Sequence, residues 1–105
     1  MHKIMWKFVV KAEHINTFLT HYGPGGTWVS LFEKCPGFQG SELWQDAQEA
    51  LVYYSVDSWD NFSTFQKAKQ VIGSDYQTLD EQCAHLTRQE IPLLTAHVLS
   101  SVKSP

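Results

Sequence analysis

The sequence predicts an α+β fold on the ferredoxin-like plan: order βαββαβ, a four-stranded antiparallel sheet, and helices on one of its faces. Two observations lead there. Strand-like and helix-like periodicities follow one another along the chain in that order, with each helical crossover split in two by a break that carries glycine. In addition, the third and last strand candidates are apolar on both faces, so the side that the helices leave bare needs a cover of its own.

The elements follow in turn. KIMWKFVVK (3–11) places Ile4, Trp6, Phe8 and Val10 on one face and Met5, Lys7, Val9 and Lys11 on the other, the period of a strand. EHINTFLTHY spaces Ile15, Phe18, Leu19 and Tyr22 as an amphipathic helix. Gly23 to Gly26 stop it, and Thr27 is expected to cap a second helix with Trp28, Leu31 and Phe32 on one side, ended by Pro36-Gly37. FQGSELWQD (38–46) and ALVYYSVDSW (50–59) read as a hairpin. Asp57-Ser58 and Asp60-Asn61 supply helix-start chemistry before a helix bearing Phe62, Phe65, Ala68 and Ile72. Gly73-Ser74 break that helix, and Tyr76, Leu79, Cys83 and Leu86 form the stripe of the next. Pro92 precedes a last strand, LLTAHVLSS. One domain, 1–105, is expected, with an ordered core of about 3–100 and a frayed tail at 101–105.

The two-sided strands are specific. Leu51, Tyr53 and Trp59 oppose Val52, Tyr54 and Val56, and Leu93, His97 and Leu99 oppose Leu94, Ala96 and Val98. Helices cover one side only, and a second copy of the same sheet is the simplest cover for the other. The expectation is a homodimer through the sheet faces, burying above ~1,500 Å². One of Tyr53 and Tyr54 then faces the helices and the other the partner, with the choice open at this level.

Composition excludes several partners. The chain of 105 residues is 43% apolar and 18% charged with net charge −3 and no Lys/Arg block, which gives no nucleic-acid footprint. No apolar run approaches the ~18–20 residues of a membrane span. MHKIMWKFVV lacks a signal-peptide pattern, and two cysteines form no disulfide framework, so a reduced cytoplasmic protein is expected. Cys83, on an apolar stripe, and Cys35, beside Pro36, read as inert. The histidines lack H-x-x-x-H spacing and no C-x-x-C exists, so no metal site and no cofactor are expected. The glycine-rich run HYGPGGTWVSLFEKCPGFQG (21–40) lacks both the Gly-Lys-Ser/Thr ending of a P-loop and a G-x-G-x-x-G after a strand. It reads as a corner that uses glycine's tolerance of positive φ and aims Trp28 and Phe32 inward.

Three strings carry a resemblance: Y-G-P-G-G-x-W-x-x-L-F-x-x-x-P-G-F-x-G-S-E-L, the strand end V-D-S-W, and Y-x-x-L-D-x-x-C-x-x-L-T-x-x-E. Over about residues 4–99 the chain resembles the antibiotic-biosynthesis-monooxygenase-like family, at positions that include Tyr22, Trp28, Phe32, Glu42, Asp57, Trp59, Tyr76, Asp80, Thr87 and Glu90. The resemblance implies a face-to-face dimer of ferredoxin-like sheets, the dimeric α/β barrel, with a pocket between sheet and helices in each subunit. Some relatives oxygenate phenolic or quinone-like substrates without metal or flavin, and others degrade haem. The haem-degrading pattern is not met: the first strand offers Trp6, Phe8 and Val10 where that branch has an Asn, and the helix after Trp59 offers Phe65, Ala68 and Lys69 in place of a Trp and a His.

Cofactor-independent oxygenation needs a dry aromatic pocket, a base for a phenol proton, and donors that hold the anion. Tyr22, Trp28, Phe32, Trp44, Tyr53, Trp59 and Phe65 are the candidate ligand-binding residues, and His97, Asp57 and His21 the candidate bases. The expected function is a homodimeric small-molecule-binding protein acting as a cofactor-independent monooxygenase on a phenol or quinone. The alternatives are a binding module that sequesters or senses a flat apolar ligand, and a dimer whose aromatic residues are only core.

Overall fold

Residues that pair across strands share a face, so the register of the central pair fixes the whole arrangement. In the computed structural model, which describes residues 1–102, β1 (His2–Val10) lies antiparallel to β3 (Val52–Trp59) with His2 opposite Trp59, Ile4 opposite Asp57, Trp6 opposite Ser55 and Phe8 opposite Tyr53. On the flanks, β2 (Phe38–Gln45) pairs with β3 and β4 (Thr87–His97) with β1, giving the antiparallel order β2-β3-β1-β4. The crossovers are α1 (Ile15–Tyr22) with α2 (Thr27–Phe32), and α3 (Phe62–Val71) with α4 (Gly73–Cys83). Each crossover is split, as the glycine breaks imply.

All four helices pack on the face that carries Ile4, Phe8, Phe38, Tyr53 and Trp59, where two clusters form. One gathers Trp28, Leu31, Phe32, Cys35, Leu79, Cys83 and Leu86 around Trp59, which is fully buried. The other packs Phe8, Val10 and Tyr53 around Phe18. Burial of a side chain such as Phe18 contributes about 2–3 kcal/mol relative to exposure. The opposite face, with Met5, Val9, Trp44, Val52, Tyr54, Val56 and Leu94, has no helix over it. The choice left open for the paired tyrosines is thereby made: Tyr53 faces the helices, and Tyr54 lies on the bare face, its hydroxyl donating to Asp46 Oδ2 at 2.6 Å. Asp46 also accepts from the backbone of Gln48 and Glu49 and so closes the hairpin between β2 and β3.

Three local expectations are corrected. The last strand starts at Thr87, not after Pro92, and stops at His97. Pro92 sits within it at a register shift against Met5 and Trp6, on an edge strand where its missing N–H breaks no ladder on the outer side. Thr27 is the first residue of its helix rather than its cap: Gly26 is the N-cap, and Thr27 Oγ1 bonds His21 Nδ1 at 2.5 Å. Positive φ explains only part of the glycine-rich run. Gly25 (φ 69°), Gly37 (φ 89°) and Gly40 (φ 121°) have it, whereas Gly26 does not, and a Cβ there would lie 2.6 Å from the carbonyl oxygens of both Thr20 and His21. The chain end 98–102 carries no regular structure, and 103–105 of the expected frayed tail lie outside the described residues.

Candidate functional site

The inner face of β3 runs large, small, small, large: Tyr53, Ser55, Asp57, Trp59. Across from Asp57 on β2 stands Ser41, another small side chain. Tyr53 and Trp59 each anchor one of the two core clusters, and the short residues between them leave the helices nothing to fill against. A cavity of about 150 Å³ opens there. Its floor is Ser41, Ser55 and Asp57, and Trp6 and Phe8 of β1 continue it. Tyr22 from the end of α1 and Trp28, Val29 and Phe32 from α2 form one wall, placed by the glycine corner that turns the chain between the two helices. Tyr76 and Asp80, one helical turn apart on α4, and Glu90 of β4 complete the rim. The rings meet at their edges: Trp28 lies 5.0 Å from Tyr76 and Phe8 4.8 Å from Tyr22 between centroids.

Asp57 is the one ionisable group on the floor. Burial pushes its carboxyl up to about 6, and the Ser41 hydroxyl, which donates to Oδ1 at 2.6 Å, opposes that rise. At neutral pH it is a carboxylate with proton affinity far above an ordinary aspartate, which suits a general base. Burial, then the charges of Asp80, Asp57 and Glu90, raises Tyr76 to about 12, and burial raises Tyr22 further still. Both phenols therefore stay protonated and can donate hydrogen bonds. The buried Nε1–H of Trp28 lies beside the Tyr22 hydroxyl and the Cys83 thiol, with no well-formed hydrogen bond to either. Glu90 is raised by burial and by Asp80 beside it.

Of the residues singled out from the sequence, Tyr22, Trp28, Phe32 and Asp57 line this cavity. The others stand elsewhere. His97 pairs with His2 across β1 and β4, Nδ1 to Nδ1 at 3.3 Å, in the row of Trp59 and away from the cavity. His21 is held at the corner by Thr27. Tyr53 is core, 5.2 Å from the Phe18 ring and bonded by Gln45. Trp59 is sealed with its Nε1–H unpaired, and Phe65 packs on it at 5.6 Å. Trp44 sits on the bare face, 44% exposed. It borders a second cleft of about 290 Å³ with Gly23, Pro24, Glu42 and Leu43, which adjoins the cavity through Tyr22, Val29 and Ser41. Asn61, not Asp57, caps α3, in a capping box with Thr64. This leaves Asp57 free of the helix-capping role that its position before the helix suggested.

Sequence reasoning did not assign Trp6, Phe8, Val29, Ser41, Ser55, Tyr76, Asp80 or Glu90 to the site. Tyr76, Asp80 and Glu90 lie in the third resembling string, so that string held their signal. Ser41 lies at the end of the first string, while Ser55 lies in none of the three: a serine in a strand marks a gap only once the register is known.

No family model and no curated protein matches the chain. Solved structures do. A provisionally named antibiotic biosynthesis monooxygenase from Deinococcus radiodurans superposes with TM-score 0.79 at 11% identity, over 100% of this chain and 99% of that one. Rv0793 from Mycobacterium tuberculosis gives 0.75 at 8%, over 97% and 98%. SnoaB, a cofactor-independent oxygenase from Streptomyces nogalater, gives 0.72 at 15%, over 98% and 97%, in a mutant form. At such identities the agreement is one of architecture, and it extends over whole chains on both sides: this protein has the α+β, ferredoxin-like fold of the antibiotic biosynthesis monooxygenases.

Proposed function

We propose that the chain is a single-domain, homodimeric protein that binds a small phenolic or quinone-like aromatic molecule in this cavity and oxygenates it without a cofactor, with Asp57 as the base. The observation that carries the reading is a half-buried carboxylate, held by Ser41, on the floor of a largely aromatic cavity. The substrate phenol gives its proton to Asp57, and the resulting anion is rich enough in electrons to reduce dioxygen. One oxygen atom replaces the single hydrogen of the para ring carbon and becomes a carbonyl, the phenol oxygen becomes the second carbonyl, and the other oxygen atom leaves as water with that ring hydrogen and the proton held by Asp57. The hydroxyls of Tyr22 and Tyr76 are the donors available to the substrate oxygen as charge builds there. The likeness to SnoaB, an oxygenase named as cofactor-independent, supports the same class. His97 and His21 have no part in this scheme. No helix among the described residues is long and apolar enough to cross a membrane, and two buried free cysteines, Cys35 and Cys83, fit the cytoplasmic setting proposed here.

One observation favours a second reading, binding without turnover. Asp80 and Glu90 put negative charge at the rim, which disfavours a substrate anion. Oxygen uptake with a panel of electron-rich phenols separates the two. The oxygenase should consume oxygen, and Asp57→Asn should lower the rate by about 10²–10⁴-fold. Saturable quenching of tryptophan emission with no uptake from any phenol would leave the binding module. Trp28→Phe should weaken binding about three- to tenfold through the lost indole contact.

A further inference from the structure

We propose that the cavity is built for a cationic ligand, a single-ring phenolic amine whose ring lies among the aromatic walls and whose ammonium sits at the rim between Asp80 and Glu90. The inference rests on the reading above that the cavity takes a phenolic aromatic, and it names the class. Three independent features converge on it. The first is charge. Among the described residues, the lining holds Asp57, Asp80 and Glu90 and no Lys, Arg or His. Lys69 lies nearby, yet its Nζ is taken up by the rings of Tyr76 (5.0 Å) and Phe65 (5.5 Å), and it does not line the cavity. The carboxyls act on one another: the charge of Asp80 disfavours ionisation of Glu90 and of Tyr76. A ligand ammonium between Asp80 and Glu90 would reverse that repulsion. These acids and their neighbours do not form a metal-ligand cluster; no such group of three exists among the described residues.

The second feature is the wall. Tyr22, Trp28, Phe32 and Tyr76 surround one space with tilted and edge-on rings, with centroids 5.0 Å apart for Trp28 and Tyr76 and 5.9 Å for Tyr22 and Trp28. Ring faces are negative and attract a cation or the polarised C–H groups next to it. Asp80 is solvent-exposed and Glu90 is only partly shielded, so an ammonium held there keeps part of its hydration and avoids part of the desolvation cost of a buried ion pair. The third feature is the far end. The Tyr22 hydroxyl leaves a donor for a ligand oxygen, and Asp57 accepts the proton of a phenol. A volume of about 150 Å³ is roughly the room that one benzene-sized ring needs. A polycyclic ligand would have to extend into the cleft beside Trp44.

Three probes of one shape test this: tyramine, 4-ethylphenol and 3-(4-hydroxyphenyl)propanoate, which are cationic, neutral and anionic at pH 7.5. Dissociation constants would be measured by calorimetry on the wild-type protein and on Asp80→Asn and Glu90→Gln, each checked for an unchanged melting curve. Tyramine should bind about tenfold more tightly than 4-ethylphenol, and the carboxylate more weakly than either. Each substitution should shrink the tyramine advantage about threefold and leave 4-ethylphenol where it was. Equal binding of tyramine and 4-ethylphenol, or an advantage that survives both substitutions, overturns the amine and leaves the aromatic-binding reading intact. Failure of all three probes to bind overturns the reading of the cavity as a ligand site, and the amine with it.

Discussion

At Asp57 chemistry and stability pull in opposite directions. Burial raises this carboxyl to about 6, so between pH ~4 and ~6 the folded chain still holds a proton that the unfolded chain has released. Stability therefore falls as pH rises through that window, by up to about 3 kcal/mol at neutral pH. Asp57→Asn keeps an acceptor for Ser41 and removes the charge. It should raise the melting temperature at pH 7 by several degrees, leave it nearly unchanged at pH 4, and abolish oxygen uptake. A variant less stable than wild type at pH 7 would contradict the buried-carboxylate account. The glycine corner offers a second residue-scale contrast. Gly26→Ala pushes a methyl against two carbonyl oxygens 2.6 Å away, backbone atoms that cannot swing aside. Gly25→Ala meets no atom within 4 Å and bears only the cost of φ 69°, about 1–2 kcal/mol. Denaturant melts should rank Gly26→Ala clearly below Gly25→Ala. The reverse order would mean that dihedral freedom, not space, selects glycine here.

Among the elements, the β1–β4 pairing has a titratable clasp. His2 is almost wholly buried, its ring 5.3 Å from Phe62 and 4.9 Å from His97. Burial, helped by His97, holds the His2 imidazole below its ordinary value. The unfolded chain takes up a proton below pH ~6.5 while the folded one resists, so the stability this end contributes is complete above that pH and lost as pH falls. The backbone N–H of Val98 donates to Met1 just beyond the pair, at 2.8 Å, and its hydrogen-exchange protection should drop on going from pH 7.5 to 5.5 more than that of Phe8 in mid-strand. His2→Phe should remove the difference; an equal drop at both sites would discard the clasp. Order and type of the eight helices and strands among the described residues were legible in the sequence because the period marks each of them and glycines split both helical crossovers. What was not legible needed partners. Pro92 looked like a boundary because its place on an edge strand, at a bulge, is a fact of pairing. His97 looked like a base because nothing in the sequence sets it opposite His2. The cavity was half legible: its large rings advertise themselves, whereas Ser41 and Ser55 matter only by being small in a register not yet known.

For the whole molecule, the bare face of the sheet is the unfinished part. Trp44 and Leu94 are 44% and 46% exposed there, and Met5, Val9, Val52 and Tyr54 share the surface with them, while Lys7 and Glu42 supply charges of both signs. A single layer of helices on the other side cannot protect it, and apolar patches of this kind in a stable protein are interaction surfaces. Its flatness and its antiparallel strands allow a two-fold related copy to lie on it, so that each residue meets its counterpart set on the other sheet. A standard stable interface of roughly 1,200–2,000 Å² is within reach of such a face. Sedimentation at micromolar concentration should then show one species of twice the chain mass. Leu94→Glu places a carboxylate on each side of the two-fold and should shift that species toward monomer. Asp57 and the cavity floor lie on the opposite face of the sheet, so the substitution tests whether the cavity needs the dimer. If 4-ethylphenol binds the monomeric variant as it binds the dimer, each subunit carries a complete site; if binding is lost while the fold persists, assembly is part of the site. A wild-type chain that sediments as a well-folded monomer would refute the face-to-face arrangement.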